Sequence, residues 1–156
     1  MPEIRCDQLK PLEATVGYGQ LGINKSIDGK PPTLDGKKYA FGIGVHAPSK
    51  IIYTIPKGAK HFVAVVGIDD EVKHDKSASV VFKLVGDVKE MGEQPVVIAE
   101  SPRLDNQGIR TWAFDVKLDP QFREIHLIVT DAGDGITSDH ADWVNAGFLL
   151  QHQKSD

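Results

Sequence analysis

The chain has 156 residues, 40% of them hydrophobic and 26% charged, with a formal net charge of −4. That length can bury a real core, and the acidic balance argues against a nucleic-acid partner, whose phosphates call for a basic face. No apolar run approaches the roughly 18–20 residues of a membrane span, and a lone cysteine, Cys6, excludes an internal disulfide framework.

The first residues, Met1-Pro2-Glu3-Ile4-Arg5, lack the apolar stretch of a signal peptide. Composition leaves open a cytosolic protein or a module of a longer secreted one. Cys6 is expected as a single thiol, exposed near the terminus. Weak strand signals lie near Leu9 and Tyr18. Beyond them, short apolar runs divided by Gly, Pro, Asp and Lys replace any helical period. Tyr39, Phe41, Ile43 and Val45 alternate with small residues. Ile51, Tyr53 and Ile55 form the next run, which Pro56 stops. Phe62 to Ile68 is apolar on both faces and reads as a central strand. Val80 to Val85 and Val96 to Ala99 follow. Thr111 to Lys117 is expected to put Trp112, Phe114 and Val116 inward. Glu124 to Thr130 groups Ile125, Leu127 and Val129, and Trp143 to Leu150 is the last apolar segment.

These runs make about eight strands joined by links too short for parallel crossovers, which take roughly a dozen residues. The expected fold is all-β, an antiparallel β-sandwich. No repeat, low-complexity tract or linker divides the chain, so residues 1–156 are expected to form one module. The least regular stretches are Asn24 to Lys38, Asp69 to Ser77 and Asp131 to Asp139.

Chemistry-bearing residues concentrate in those stretches. Asp131 to Trp143 holds Asp131, Asp134, Asp139, Asp142, His140 and Trp143, with glycines that let the backbone turn and expose carbonyls. Oxygen ligands in such a loop suit Ca²⁺, although ordinary turn chemistry also explains Asp and Gly there. Asp69-Asp70-Glu71 could cap a loop, hold a cation or simply be solvated. In Gly42-Ile43-Gly44-Val45-His46-Ala47-Pro48-Ser49 the glycines suit close packing within a strand, because a dinucleotide fingerprint would need a third glycine and a following helix. His46 reads as a loop hydrogen-bonder or part of a binding site. A hydrolase is less well supported. No Gly-x-Ser-x-Gly motif occurs, and paired glycosidase carboxylates cannot be assigned from the sequence. A carbohydrate site fits better. Sugar hydroxyls bond carboxylates, amides and imidazoles, and sugar C–H faces pack on Trp or Tyr rings. Trp143 beside His140, or Tyr18 between Gly17 and Gly19, could supply such a ring; Trp143 also fits a core.

Read together, Gly42 to Ser49, Val66-Gly67-Ile68-Asp69-Asp70, Val129 to Gly135 and Asp139-His140-Ala141-Asp142-Trp143 resemble the NPCBM family of carbohydrate-binding modules found with glycoside hydrolases. Asn24-Lys25-Ser26 with Gly29 and Pro32, and Val81-Phe82-Lys83 with Gly86-Asp87, are similar to the same pattern in the same order. One departure is Val88, where the family usually has a glycine after the aspartate. The resemblance covers roughly residues 8–150. It implies a galactose-binding-like jelly roll, a galactose-type glycan as ligand, a structural Ca²⁺ and an extracellular or periplasmic setting beside a carbohydrate-active enzyme. With the loop chemistry it nominates Tyr18, Asn24, His46, His140 and Trp143 for the sugar, and Asp131, Asp134, Asp139 and Asp142 for calcium. The alternative is a structural or protein-interaction sandwich without a sugar site.

Overall fold

The computed structural model describes residues 1–133 and 135–150. Its strands are β1 (Ile4–Arg5), β2 (Glu13–Thr15), β3 (Gly22–Ile23), β4 (Thr33–Leu34), β5 (Lys37–Lys38), β6 (Gly42–His46) and β7 (Ser49–Thr54). They continue with β8 (Ala59–Ile68), β9 (Ser79–Asp87), β10 (Val96–Glu100), β11 (Leu104–Asp105), β12 (Thr111–Lys117), β13 (Glu124–Thr130) and β14 (His140–Leu150). The first sheet runs β12-β8-β14-β6-β3, with β1 also on β14. The second runs β10-β9-β13-β7-β2, with β11 on β9, and β4 and β5 make a small hairpin.

All pairings are antiparallel. Successive strands nevertheless seldom pair with each other. The chain passes from β6 in the first sheet to β7 in the second and returns with β8. The short links carrying Pro48 and Pro56 turn corners of the sandwich rather than closing hairpins. This alternation between layers makes the fold a jelly roll.

Period-two alternation builds the core. Ile43 and Val45 of β6, Ala141 and Trp143 of β14, Phe82 and Leu84 of β9, and Leu127 and Val129 of β13 are all buried. Trp143 lies at the centre, edge-on to Phe82 at 5.0 Å and stacked on Phe114 at 6.2 Å. Two expectations need correction. Cys6 is fully buried within this core rather than exposed, which pushes its thiol pKa far up through desolvation. Trp112 is 40% exposed, because β12 is an edge strand and only Phe114 reaches over Trp143.

The outer face of the first sheet is also covered. On β14, Asp142 pairs with Gly44 of β6 on one side and Gly67 of β8 on the other. A Cβ on Gly44 would lie 2.5 Å from the Lys25 carbonyl oxygen, and one on Gly67 would lie 2.7 Å from that of Arg110. The glycines therefore let the segment around Ser26 and the backbone at Arg110 lie directly on the sheet.

Candidate carbohydrate-binding site

The site forms where β6 ends and β14 begins. Register sets His46 opposite His140, and their rings meet edge-to-face at 5.2 Å. Alternation puts His140 and Asp142 on the outer face and turns Ala141 and Trp143 into the core. Tyr18 stands beside His46 at 5.4 Å between ring centroids and is 63% exposed. With Asp28, Ile136, Thr137 and Ser138, these three rings line an open cleft of about 440 Å³.

Beneath the cleft the three acids after β8 are structural parts. Asp69 is buried: its Oδ1 accepts the Glu71 N–H at 2.9 Å and its Oδ2 accepts the Thr33 N–H at 3.2 Å. Asp70 accepts the Asp35 and Gly36 amides at 3.1 and 2.7 Å and Arg110 at 2.9 Å, which docks the β4–β5 hairpin. Glu71 accepts from His140 Nδ1 at 2.7 Å and from the Ser26 hydroxyl at 2.5 Å. Simple solvation of this run is thus replaced by a bonded support. Sequence reasoning missed Glu71, Ser26 and Asp28 as site residues, although the acidic run was the visible signal for Glu71.

The two histidines have opposite electrostatics. Burial lowers the pKa of His46, and neighbouring His140 adds to this against the bond to Ala47. His46 Nδ1 lies 2.7 Å from the Ala47 carbonyl, which can only accept. The proton therefore sits on Nδ1, and Nε2 is left as an acceptor. Burial also disfavours charge on His140, but the hydrogen bond it donates to Glu71, together with the negative charges of Glu71, Asp28 and Asp69, outweighs burial and raises the pKa. Because Nδ1 serves Glu71, Nε2–H is the remaining donor. An acceptor and a donor side by side match a hydroxyl group, which is both.

The other nominated residues lie elsewhere. Trp143 is fully buried and cannot stack on a ligand, because strand parity sends it opposite to His140. Asn24 spends its amide within the chain, accepting from Gly42 N–H at 3.0 Å and donating to Asp7 at 3.3 Å. Asp131 accepts the Gly133 amide at 2.8 Å, and Asp139 accepts the Ser79 amide at 2.9 Å. Asp134 lies outside the described residues. Among the described residues, the metal-sized groups of His, Asp and Glu are Asp28–Glu71–His140 and Asp87–Glu124–His126, and neither contains Asp131, Asp139 or Asp142. Asp142 is different again. Both its oxygens are buried without a hydrogen-bond donor among the described residues. Desolvation, then Asp69, raises its pKa well above the usual range, so it can be held as the neutral acid donating to Asp69.

The sequence profile of the NPCBM/NEW2 domain matches residues 3–149. The chain belongs to the NPCBM/NEW2 family. It is a carbohydrate-binding module. A Renibacterium salmoninarum protein named for endo-alpha-N-acetylgalactosaminidase activity is 32% identical over 78% of this chain, which spans only 7% of that protein's length. The CBM51 module of Clostridium perfringens GH95, solved with methyl-galactose, superposes with a TM-score of 0.81 at 27% identity, covering 94% of this chain and 99% of that one. The CBM51-2 module of Clostridium perfringens ZmpB, solved with GlcNAc and INT domains, gives a TM-score of 0.83 at 30% identity, covering 94% of this chain and 31% of that one. No helix among the described residues is long and apolar enough to cross a membrane.

Proposed function

We propose that this NPCBM module binds a galactose-type sugar in the cleft between Tyr18, His46 and His140, without transforming it. The observation that carries the reading is an exposed tyrosine ring next to one acceptor and one donor imidazole. Tyr18 packs on a C–H face of the sugar. His46 and His140 bond one hydroxyl, and Asp28 at the rim accepts a second. The methyl-galactose complex of a CBM51 module of the same fold supports the ligand class. In this reading the module serves a glycoside hydrolase outside the cell, as a targeting part of a longer polypeptide or as its companion.

A shallow, open cleft over one or two rings gains little after association costs, so affinity for a monosaccharide is on the order of 0.1–1 mM, or about −4 to −5.5 kcal/mol. Multivalent display raises it. NMR titration with methyl-galactoside, GlcNAc and glucose tests this. The expected result is saturable shifts at Gly17, Gly19 and His46 with the galactoside, lost in Tyr18→Ala while the fold persists. No shift with any sugar, together with a blank glycan array, would replace this reading with an interaction module.

The calcium role is proposed in a narrower form. Asp142 offers two buried oxygens that no donor among the described residues meets, and it lies beside Asp69. A structural Ca²⁺ would be held there, by Asp142 and Asp69 with loop carbonyls, in place of the proton that otherwise neutralises Asp142.

A further inference from the structure

The outer face of the second sheet carries another histidine among carboxylates. On β13, alternation sends Ile125, Leu127 and Val129 into the core and turns Glu124 and His126 outward. Register sets Glu124 directly opposite Asp87 of β9. Three potential ligands therefore converge from two adjacent strands. His126 Nε2 lies 3.8 Å from Asp87 Oδ2 and 3.7 Å from Glu124 Oε1, and the three ligand atoms fall within 4.8 Å of one another.

These separations are too long for hydrogen bonds. The His126 side chain is only 8% exposed, and its Nε2 is buried without a hydrogen-bond partner among the described residues. A polar atom buried in this way costs about 1–3 kcal/mol unless something answers it. Asp87 is oriented for the purpose, since its Oδ1 accepts the Lys89 amide at 2.8 Å and leaves Oδ2 toward His126. Burial, with help from Lys50, lowers the His126 pKa against the pull of Asp87 and Glu124, so the ring keeps its lone pair. Lys89 Nζ, 3.9 Å from Glu124, provides only a partial counter-charge.

We propose that Asp87, Glu124 and His126 bind a transition-metal dication of the zinc type, clamping β9 to β13. Ligands about 2.0–2.1 Å from a tetrahedral ion stand roughly 3.3–3.5 Å apart, so the two nitrogen–oxygen separations of 3.8 and 3.7 Å need close by only a few tenths of an ångström, with the two carboxylates drawn together by the ion. The imidazole donor selects zinc-like ions over Ca²⁺ and Mg²⁺, which take oxygen ligands. Water fills the fourth position.

The test uses untagged, metal-stripped protein titrated with Zn²⁺ by calorimetry and with Co²⁺ by visible absorption. One saturable site, tetrahedral Co²⁺ bands and a raised melting temperature are expected, with no competition from excess Ca²⁺. His126→Asn and Glu124→Gln should each abolish the response, while melting curves without metal show that they fold. If His126→Asn does not fold, Glu124→Gln carries the test. Absence of saturable binding overturns the proposal. So does binding that survives these changes, that Ca²⁺ displaces, or that Glu71→Gln removes.

Discussion

Replacing Glu71 by Gln tests the support beneath the cleft. The change keeps the shape and one acceptor but removes the charge facing His140 at 2.7 Å and Ser26 at 2.5 Å. The side chains of Glu71 and His140 are 3% and 11% exposed, so solvent screens the pair little. Hydrogen bonds to charged groups contribute about 1.5–3 kcal/mol, and retaining a neutral acceptor leaves a loss of about 1–2 kcal/mol. For a domain of this size that lowers Tm by about 2–8 °C. The loss depends on pH. Burial pushes Glu71 up and His140 down, but their mutual bond and charge, with Ser26 bonding Glu71 and further carboxylates beside His140, reverse both, leaving Glu71 below 4.5 and His140 above 6.5. The Glu71 contribution is present above about pH 4.5 and fades as pH falls through its lowered value. The His140 contribution is present below about pH 6.5 and fades as pH rises through its raised value. Scanning calorimetry of both proteins across pH should show the widest Tm gap between these limits, closing toward alkaline pH. A gap that is absent, or equal at about pH 5.5 and pH 9, would refute the charged pair.

Three further outcomes follow from the geometry. Trp143→Ala should cost about 3–5 kcal/mol in urea unfolding; a cost under about 1 kcal/mol would mean that Trp143 is not the centre of the core. Gly44→Ala forces a Cβ to 2.5 Å from the Lys25 carbonyl oxygen, and should destabilise by about 1–3 kcal/mol while displacing Ser26; an unchanged melting curve would count against that packing. Melting of metal-stripped protein should rise with Ca²⁺ and lose the response in Asp142→Asn; indifference of the wild type to both calcium and chelator would remove calcium.

Alternation made the core strands readable. The expected Thr111–Lys117 and Glu124–Thr130 match β12 and β13, because each carries its buried apolar residues on one face only. The start of β14 was hidden. His140 and Asp142 are polar and look like loop, yet they lie on a strand whose outer face is covered by the Ser26 segment. That covering depends on Gly44 and Gly67 flanking Asp142, a relation of register between distant strands that no local pattern encodes. The same parity decides Trp143: its neighbours suggested a sugar platform, but the next position along a strand faces the other way. The exposure of Tyr18 was legible from the glycines around it, whereas His46, at the end of β6, is buried and borders the cleft only through its place beside Tyr18 and His140.

The two histidine–carboxylate groups use the same residue types and reach opposite states. At His140 a carboxylate lies at bonding distance, and the bond to it and the nearby negative charges together overcome burial, so the ring favours its proton and presents Nε2–H to the cleft. At His126 the nearest carboxylates stand at 3.7 and 3.8 Å, too far to bond, and burial prevails. That ring favours its lone pair and faces two oxygens across a gap of ionic size. A metal at the first group would have to break the Glu71 bond and the cleft's donor with it. A metal at the second breaks no hydrogen bond of Nε2 and answers its buried atom. Roughly an ångström of separation between nitrogen and oxygen therefore decides which histidine suits a sugar hydroxyl and which suits a cation.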